Sequence, residues 1–88
     1  MNWYVEWVLI AEQHLVAILN SATDRAAVIA AALRIDAALK ADPENAGESR
    51  VGHRRILIDS PLAVYFTVEP QSRTVDVGDV WRIAGPRP

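Results

Sequence analysis

The chain has 88 residues, a formal net charge of −2 and no cysteine. That length predicts one domain over residues 1–88, burying about 60–65% of the surface its unfolded form exposes. The missing cysteine excludes a disulfide framework and a thiolate metal site and suits a reducing cytoplasm. No apolar run reaches the ~18 residues a membrane span needs. The N-terminus lacks the basic start, apolar core and small-residue cleavage site of a signal peptide, so the expected location is cytoplasmic, with no membrane contact.

Charge is unevenly spread. Residues 1–48 hold three basic and seven acidic groups, and residues 49–88 hold six arginines and four acidic groups. The halves therefore carry about −4 and +2. The second half offers a polyanion only a weak field beside a dedicated nucleic-acid surface, and solvated strand ends are the ordinary reading of such arginines.

Trp3, Val5 and Trp7 alternate with Asn2, Tyr4 and Glu6, the period-two pattern of a strand. From Val8 the period changes. Ala11, Leu15, Ile18 and Ala22 share one helical stripe with Leu19 beside it, which predicts a helix over about 8–20. Asn20-Ser21-Ala22-Thr23-Asp24 breaks it, with hydroxyls and a carboxylate suited to a helix start. A second helix is expected from about Asp24 to Ala41. Val28, Ala31, Ala32, Ile35 and Leu39 form its apolar stripe, and its alanines favour helix and permit close approach of the first helix. Asp36 and Lys40 are spaced as an i,i+4 pair. Asp42-Pro43 ends the helix, because proline disfavours helical geometry in the residue before it.

Residues 43–52 read as a polar loop, and three consecutive antiparallel strands follow. Arg54-Arg55-Ile56-Leu57-Ile58 leads into Ser60-Pro61. Leu62, Val64, Phe66 and Val68 give the clearest alternation and should face the helices, with Tyr65, Thr67 and Glu69 opposite. Glu69-Pro70-Gln71-Ser72-Arg73 reads as a hairpin turn. Val75 and Val77 extend the last strand, and Gly78-Asp79 marks a bulge, because Val80 and Trp81 fall out of register. The fold class is α+β in the order β-α-α-β-β-β, a helical hairpin on a small, largely antiparallel sheet.

This order resembles the RelE/ParE family, the growth-inhibiting bacterial toxins of type II toxin–antitoxin and plasmid-stabilisation systems. The resemblance rests on Trp3-Tyr4-Val5, the alanine-rich second helix ending in Ala41-Asp42-Pro43, and the loop Gly47-Glu48-Ser49-Arg50. Arg54-Arg55-Ile56-Leu57, Leu62-Ala63-Val64-Tyr65-Phe66 and Val75-Asp76-Val77 complete it. It implies a microbial-RNase-like fold and a cognate antitoxin partner whose tail wraps the toxin. It implies no cofactor. Two activities occur in the family: RelE-like members cleave mRNA on the ribosome, and ParE-like members inhibit DNA gyrase.

The RelE-like pattern asks for basic groups on the middle strands, a late arginine and a tyrosine or histidine near the C-terminus. Arg54 fits the first basic position, and Arg82 fits the late arginine by its spacing from Phe66. Ile56 and Ala63 stand where further basic groups belong, and Ala84-Gly85-Pro86-Arg87-Pro88 offers neither Tyr nor His. Cleaving RNA requires an activated 2′-hydroxyl, a stabilised phosphorane charge and a protonated leaving oxygen. Arginines supply the charge but make poor bases. His53 is the candidate proton carrier, although a histidine in a strand-entry loop is more often an ordinary surface residue. His14, in mid-helix, reads the same way. The candidate catalytic residues are thus Arg54, Arg82 and His53. The candidate binding residues are Arg50, Arg55, Arg73 and Trp81.

Trp3, Trp7 and Trp81 read as core or partner-contact residues. Glu44, Glu48 and Asp59 lack partners at metal-ligand spacing, so no metal is expected. The leading expectation is a toxin with a ParE-like, protein-directed action. A ribosome-dependent mRNA endonuclease is the alternative, and a non-toxic, partner-binding member is a third.

Overall fold

The computed structural model describes residues 2–83. Its elements run β1 (Tyr4–Trp7), α1 (Leu9–Ser21), α2 (Arg25–Ala41), β2 (Glu48–Ser49), β3 (Arg54–Asp59), β4 (Leu62–Glu69) and β5 (Thr74–Arg82). One five-stranded sheet has the order β1-β5-β4-β3-β2. The pairings are antiparallel except β1 with β5, which is parallel, Tyr4 opposite Thr74 and Trp7 opposite Val77.

The alternation in β4 does what it predicts. Leu62, Val64, Phe66 and Val68 are all buried, as are Val75, Val77 and Val80 of β5. They meet Val28, Ala31, Ile35 and Leu39, four of the five residues expected in the α2 stripe, each fully buried, and Ala32, the fifth, is half-buried. Burying a side chain of this size contributes about 1.5–3 kcal/mol relative to exposure, so this layer contact dominates the fold. Trp3 closes one end, its backbone N–H donating to the Lys40 carbonyl. The Arg34 guanidinium forks onto Asp59 at 2.8–3.2 Å and ties α2 to the end of β3. That contact raises the Arg34 pKa above its ordinary value.

Gly78 is the bulge residue: Tyr65 pairs with Asp79 and Phe66 with Val77, leaving Gly78 unmatched. The insertion reverses the facing of everything after it.

Three expectations need correction. The stretch read as a polar loop contains a strand, β2, which pairs with β3 through Glu48–Ile56 and Ser49–Arg55. Gly47 makes this possible. Its φ is +65°, and a Cβ there would stand 2.0 Å from the Ile56 carbonyl oxygen. The two helices do not pack closely on each other. Helix α1 lies chiefly along β5, and Ala11 is its sole fully buried residue. Asp24 precedes α2, but its side chain does not cap the helix. It is engaged by Arg82 instead.

Candidate functional site

Two surfaces carry the features from which a function can be argued. The first is a groove of about 700 Å³ on the helix side, lined by β1, α1 and α2. It exists because α1 leans on β5 and leaves a wedge between itself and α2. All four residues of β1 line it, and β1 is an edge strand. Leu15 and Val16 of α1 and Ala32 and Leu33 of α2 supply apolar walls, and Glu6, Glu12 and Asp36 supply acidic groups. Leu33 is 65% exposed and Val16 55%. Asp36 accepts a hydrogen bond from the Trp7 indole at 3.1 Å and pairs with Lys40 at 2.8 Å, the expected i,i+4 contact.

The second surface is the outer face of the sheet, opposite the helices. Cross-strand rows follow from the register. Ile58, Ala63 and Trp81 form one row; Ile56, Tyr65 and Asp79 the next; Arg54, Thr67, Asp76 and Glu6 of the edge strand the third. Arg54, Tyr65, Thr67, Asp76, Gly78 and Asp79 surround a hollow of about 280 Å³. The Arg54 guanidinium lies 5.3 Å from the Tyr65 ring centre and donates to the Tyr65 hydroxyl at 3.4 Å. Asp79 accepts the backbone N–H of Val80 at 2.8 Å and sits 2.5 Å from His14 Nδ1.

The structure does not bring the three candidate catalytic residues together: His53 and Arg54 share one hollow, and Arg82 stands apart from both. Arg54 is on the outer face. Arg82 shares the facing of Val80, toward the helices, and donates to Asp24 at 2.6 Å. Their partners on β4, Thr67 and Leu62, are five residues apart, about 17 Å at strand rise. The Arg82 contact holds the Asp24 carboxyl below the usual carboxylate range and raises the Arg82 guanidinium. The bulge accounts for this placement: it turns Trp81 outward and Arg82 inward. His53 makes no hydrogen bond among the described residues and lines a separate, shallow hollow of about 220 Å³ with Glu44, Arg54 and Arg55.

The candidate binding residues also separate. Arg55 is spent on the loop before β2, donating to the Ala46 carbonyl at 2.9 Å and the Gly47 carbonyl at 3.2 Å. Arg50 pairs with Glu48 at 3.3 Å. Arg73, in the turn with φ +53°, lies 4.8 Å from the Trp3 ring centre. Trp81 is on the outer face, 38% exposed. Residues 84–88, where a terminal Tyr or His was sought, lie outside the described residues. Among the described residues no group of three or more His, Cys, Asp or Glu side chains is placed to hold a metal. Among them, too, no helix is long and apolar enough to cross a membrane.

No family model and no curated protein matches the chain in sequence. Solved structures do match in shape. The toxin–antitoxin complex RelBE2 of Mycobacterium tuberculosis superposes with a TM-score of 0.74 at 14% identity, over 93% of this chain and 99% of that one. The chromosomal ParDE system of P. aeruginosa gives 0.69 at 17% identity, over 93% and 97%. The isolated E. coli RelE toxin gives 0.67 at 10% identity, over 96% and 87%.

The chain has the RelE/ParE toxin fold.

Within this RelE/ParE fold, sequence reasoning missed two features and read a third in part. His14 was passed over, because its partner Asp79 is 65 residues away. The groove was missed because Val16 and Leu33 fall off the buried stripes; apolar residues on a second helical face were the available signal. The outward row was legible in part. Ile56 and Ile58 alternate with Arg55 and Leu57, and Ala63 falls between inward-facing Leu62 and Val64.

Proposed function

We propose that this chain is the toxin component of a toxin–antitoxin pair, acting in the cytoplasm on a protein target and neutralised by a cognate antitoxin. DNA gyrase, the target of ParE-like inhibition, is the favoured target. The observation that carries the protein-directed reading is the composition of the outer sheet face. Cutting RNA requires cations gathered around the phosphate. Here Arg54 stands with Ile56, Ala63 and Trp81, beside Asp76 and Asp79, and Arg82 is turned away into its contact with Asp24. Such a face repels a polyanion and suits a protein.

The groove supports the antitoxin half of the reading. An open strand edge, apolar walls and acidic groups suit a segment that adds main-chain hydrogen bonds to β1 and brings basic side chains to Glu6 and Glu12. The solved RelBE2 and ParDE structures are toxin–antitoxin systems, which favours the same assignment.

The test begins with tightly induced expression of the chain alone and with its neighbouring reading frame. Growth arrest relieved by the neighbour is the expected result. Purified protein should then inhibit gyrase supercoiling and leave ribosome-bound mRNA intact. Ribosome-dependent mRNA cleavage that disappears in an Arg54→Ala, Arg82→Ala double variant with its fold intact would replace gyrase by the endonuclease alternative. Absence of arrest by soluble, folded protein would end the toxin reading.

A further inference from the structure

The outer face of the sheet has no element of the chain over it among the described residues, yet part of it is apolar. Ile58 is 61% exposed and Trp81 38%, and between them Ala63 is only 1% exposed, shielded by these two neighbours. Three strands at ordinary spacing make this row about 10 Å across. Large apolar side chains side by side on an otherwise charged face mark an interaction surface more often than isolated exposed ones do.

The hollow beside the row gives the surface a sign. Two carboxylates line it. Asp79 is held by His14 and the Val80 amide, while the Asp76 carboxylate has no hydrogen bond or ion pair among the described residues. The cation present, Arg54, already lies over Tyr65. A lysine or arginine entering the hollow meets both carboxylates and an aromatic face, an arrangement that attracts cations. A phosphate entering it meets two like charges. About 280 Å³ is room enough for one such side chain.

We infer that the outer sheet face is a second docking surface, separate from the groove, whose occupant is a protein segment presenting apolar side chains next to a lysine or arginine. The apolar side chains cover Ile58, Ala63 and Trp81, and the cation sits between Asp76 and Asp79. The groove meets the outer face only at the β1 edge, where Glu6 pairs with Asp76, so a partner seated between the helices leaves Ile58, Ala63 and Trp81 open. The inference deepens the protein-directed reading above and rests on it for the physiological occupant; the binding chemistry is testable without it.

The probes are three fluorescent ligands measured by polarisation at low salt: a 14-residue amphipathic Leu/Lys peptide, its Leu/Glu counterpart and a 12-nucleotide oligouridylate. The groove is also acidic and apolar, so variants must separate the two sites. Asp76→Lys, Ile58→Lys and Trp81→Ser are expected to weaken Leu/Lys peptide binding tenfold or more. Leu33→Lys and Val16→Lys, in the groove, should leave a binding phase that the outer-face variants remove. The Leu/Glu peptide and the oligonucleotide should bind at least tenfold more weakly. Binding untouched by all three outer-face variants, or abolished entirely by Leu33→Lys, would overturn the inference, as would tighter binding of the oligonucleotide. Should Trp81→Ser fail to fold, the half-buried Asp76→Lys and the exposed Ile58→Lys carry the test. Growth assays of the same variants keep the two readings apart. Outer-face binding in a chain that causes no arrest retains this inference and ends the toxin reading. Arrest together with outer-face variants that bind as wild type does the reverse.

Discussion

The two helices are both rich in apolar residues and play opposite roles. Helix α2 buries Val28, Ala31, Ile35 and Leu39 completely against the sheet and is tied at its flank by Arg34 to Asp59. Helix α1 buries only Ala11 completely and rests along β5 with Leu9, Ile10 and Val16 exposed. The difference lies in which face each stripe meets. The stripe of α2 lies on the sheet's apolar layer; that of α1 meets the flank of one strand, and the space it leaves becomes the groove. One helix holds the fold together, and the other shapes a surface that a partner can complete.

The sharpest way to break this contrast is to delete volume from each helix. Ile35→Ala should destabilise the protein by about 2–5 kcal/mol, and Ile18→Ala in α1 by less than half of that, both read from denaturant midpoints. Equal losses would mean that α1 is as structural as α2. Next comes the loop that follows α2. Gly47→Ala places a methyl group against the Ile56 carbonyl at a positive φ and should cost more than about 1 kcal/mol. A neutral result would separate β2 from the rigid half of the molecule.

The groove face of α2 should behave oppositely to its buried face. Leu33→Glu is expected to change stability by no more than about 0.5 kcal/mol while weakening the cognate antitoxin at least tenfold in a titration. A large stability loss would return Leu33 to the core. The smallest effect is expected at the start of α2. The Arg82 contact lowers the Asp24 pKa, so its stabilisation is complete above the ordinary carboxylate range and is lost as pH falls through the lowered value. Arg82→Met should therefore be slightly less stable than the parent at neutral pH, with the gap closing on acidification. A gap that is constant with pH would assign the effect to packing of the arginine stem.

What the sequence made legible was local. The period-two run in β4, the alanine-rich stripe of α2 and the bulge at Gly78 follow from neighbouring residues. Strand β2 was not legible, because two residues carry no period and its pairing depends on β3 and on Gly47. The parallel pairing of β1 with β5 joins the two ends of the chain and leaves no local trace. The site shows the same limit more sharply. Arg82 was placed by counting residues from Phe66, but the bulge between them changes the face without changing the count. The count carries no facing, and Arg82 is on the opposite side of the sheet from Arg54. His14 and Asp79 make the complementary case, two unremarkable residues that only the tertiary structure joins.

The parallel ladder between the first strand and the last also orders events during synthesis. β1 is made well before its strand partner, Thr74 to Val77. The α1 helix, which lies along β5, waits on the same segment. On the ribosome, therefore, β1 and α1 exist before the strand they rest on, and β1 cannot join the sheet until β5 emerges. Contacts this far apart in sequence form slowly, because the long loop between them must close first. A partner that reads either surface therefore meets the sheet only after β5 has joined it.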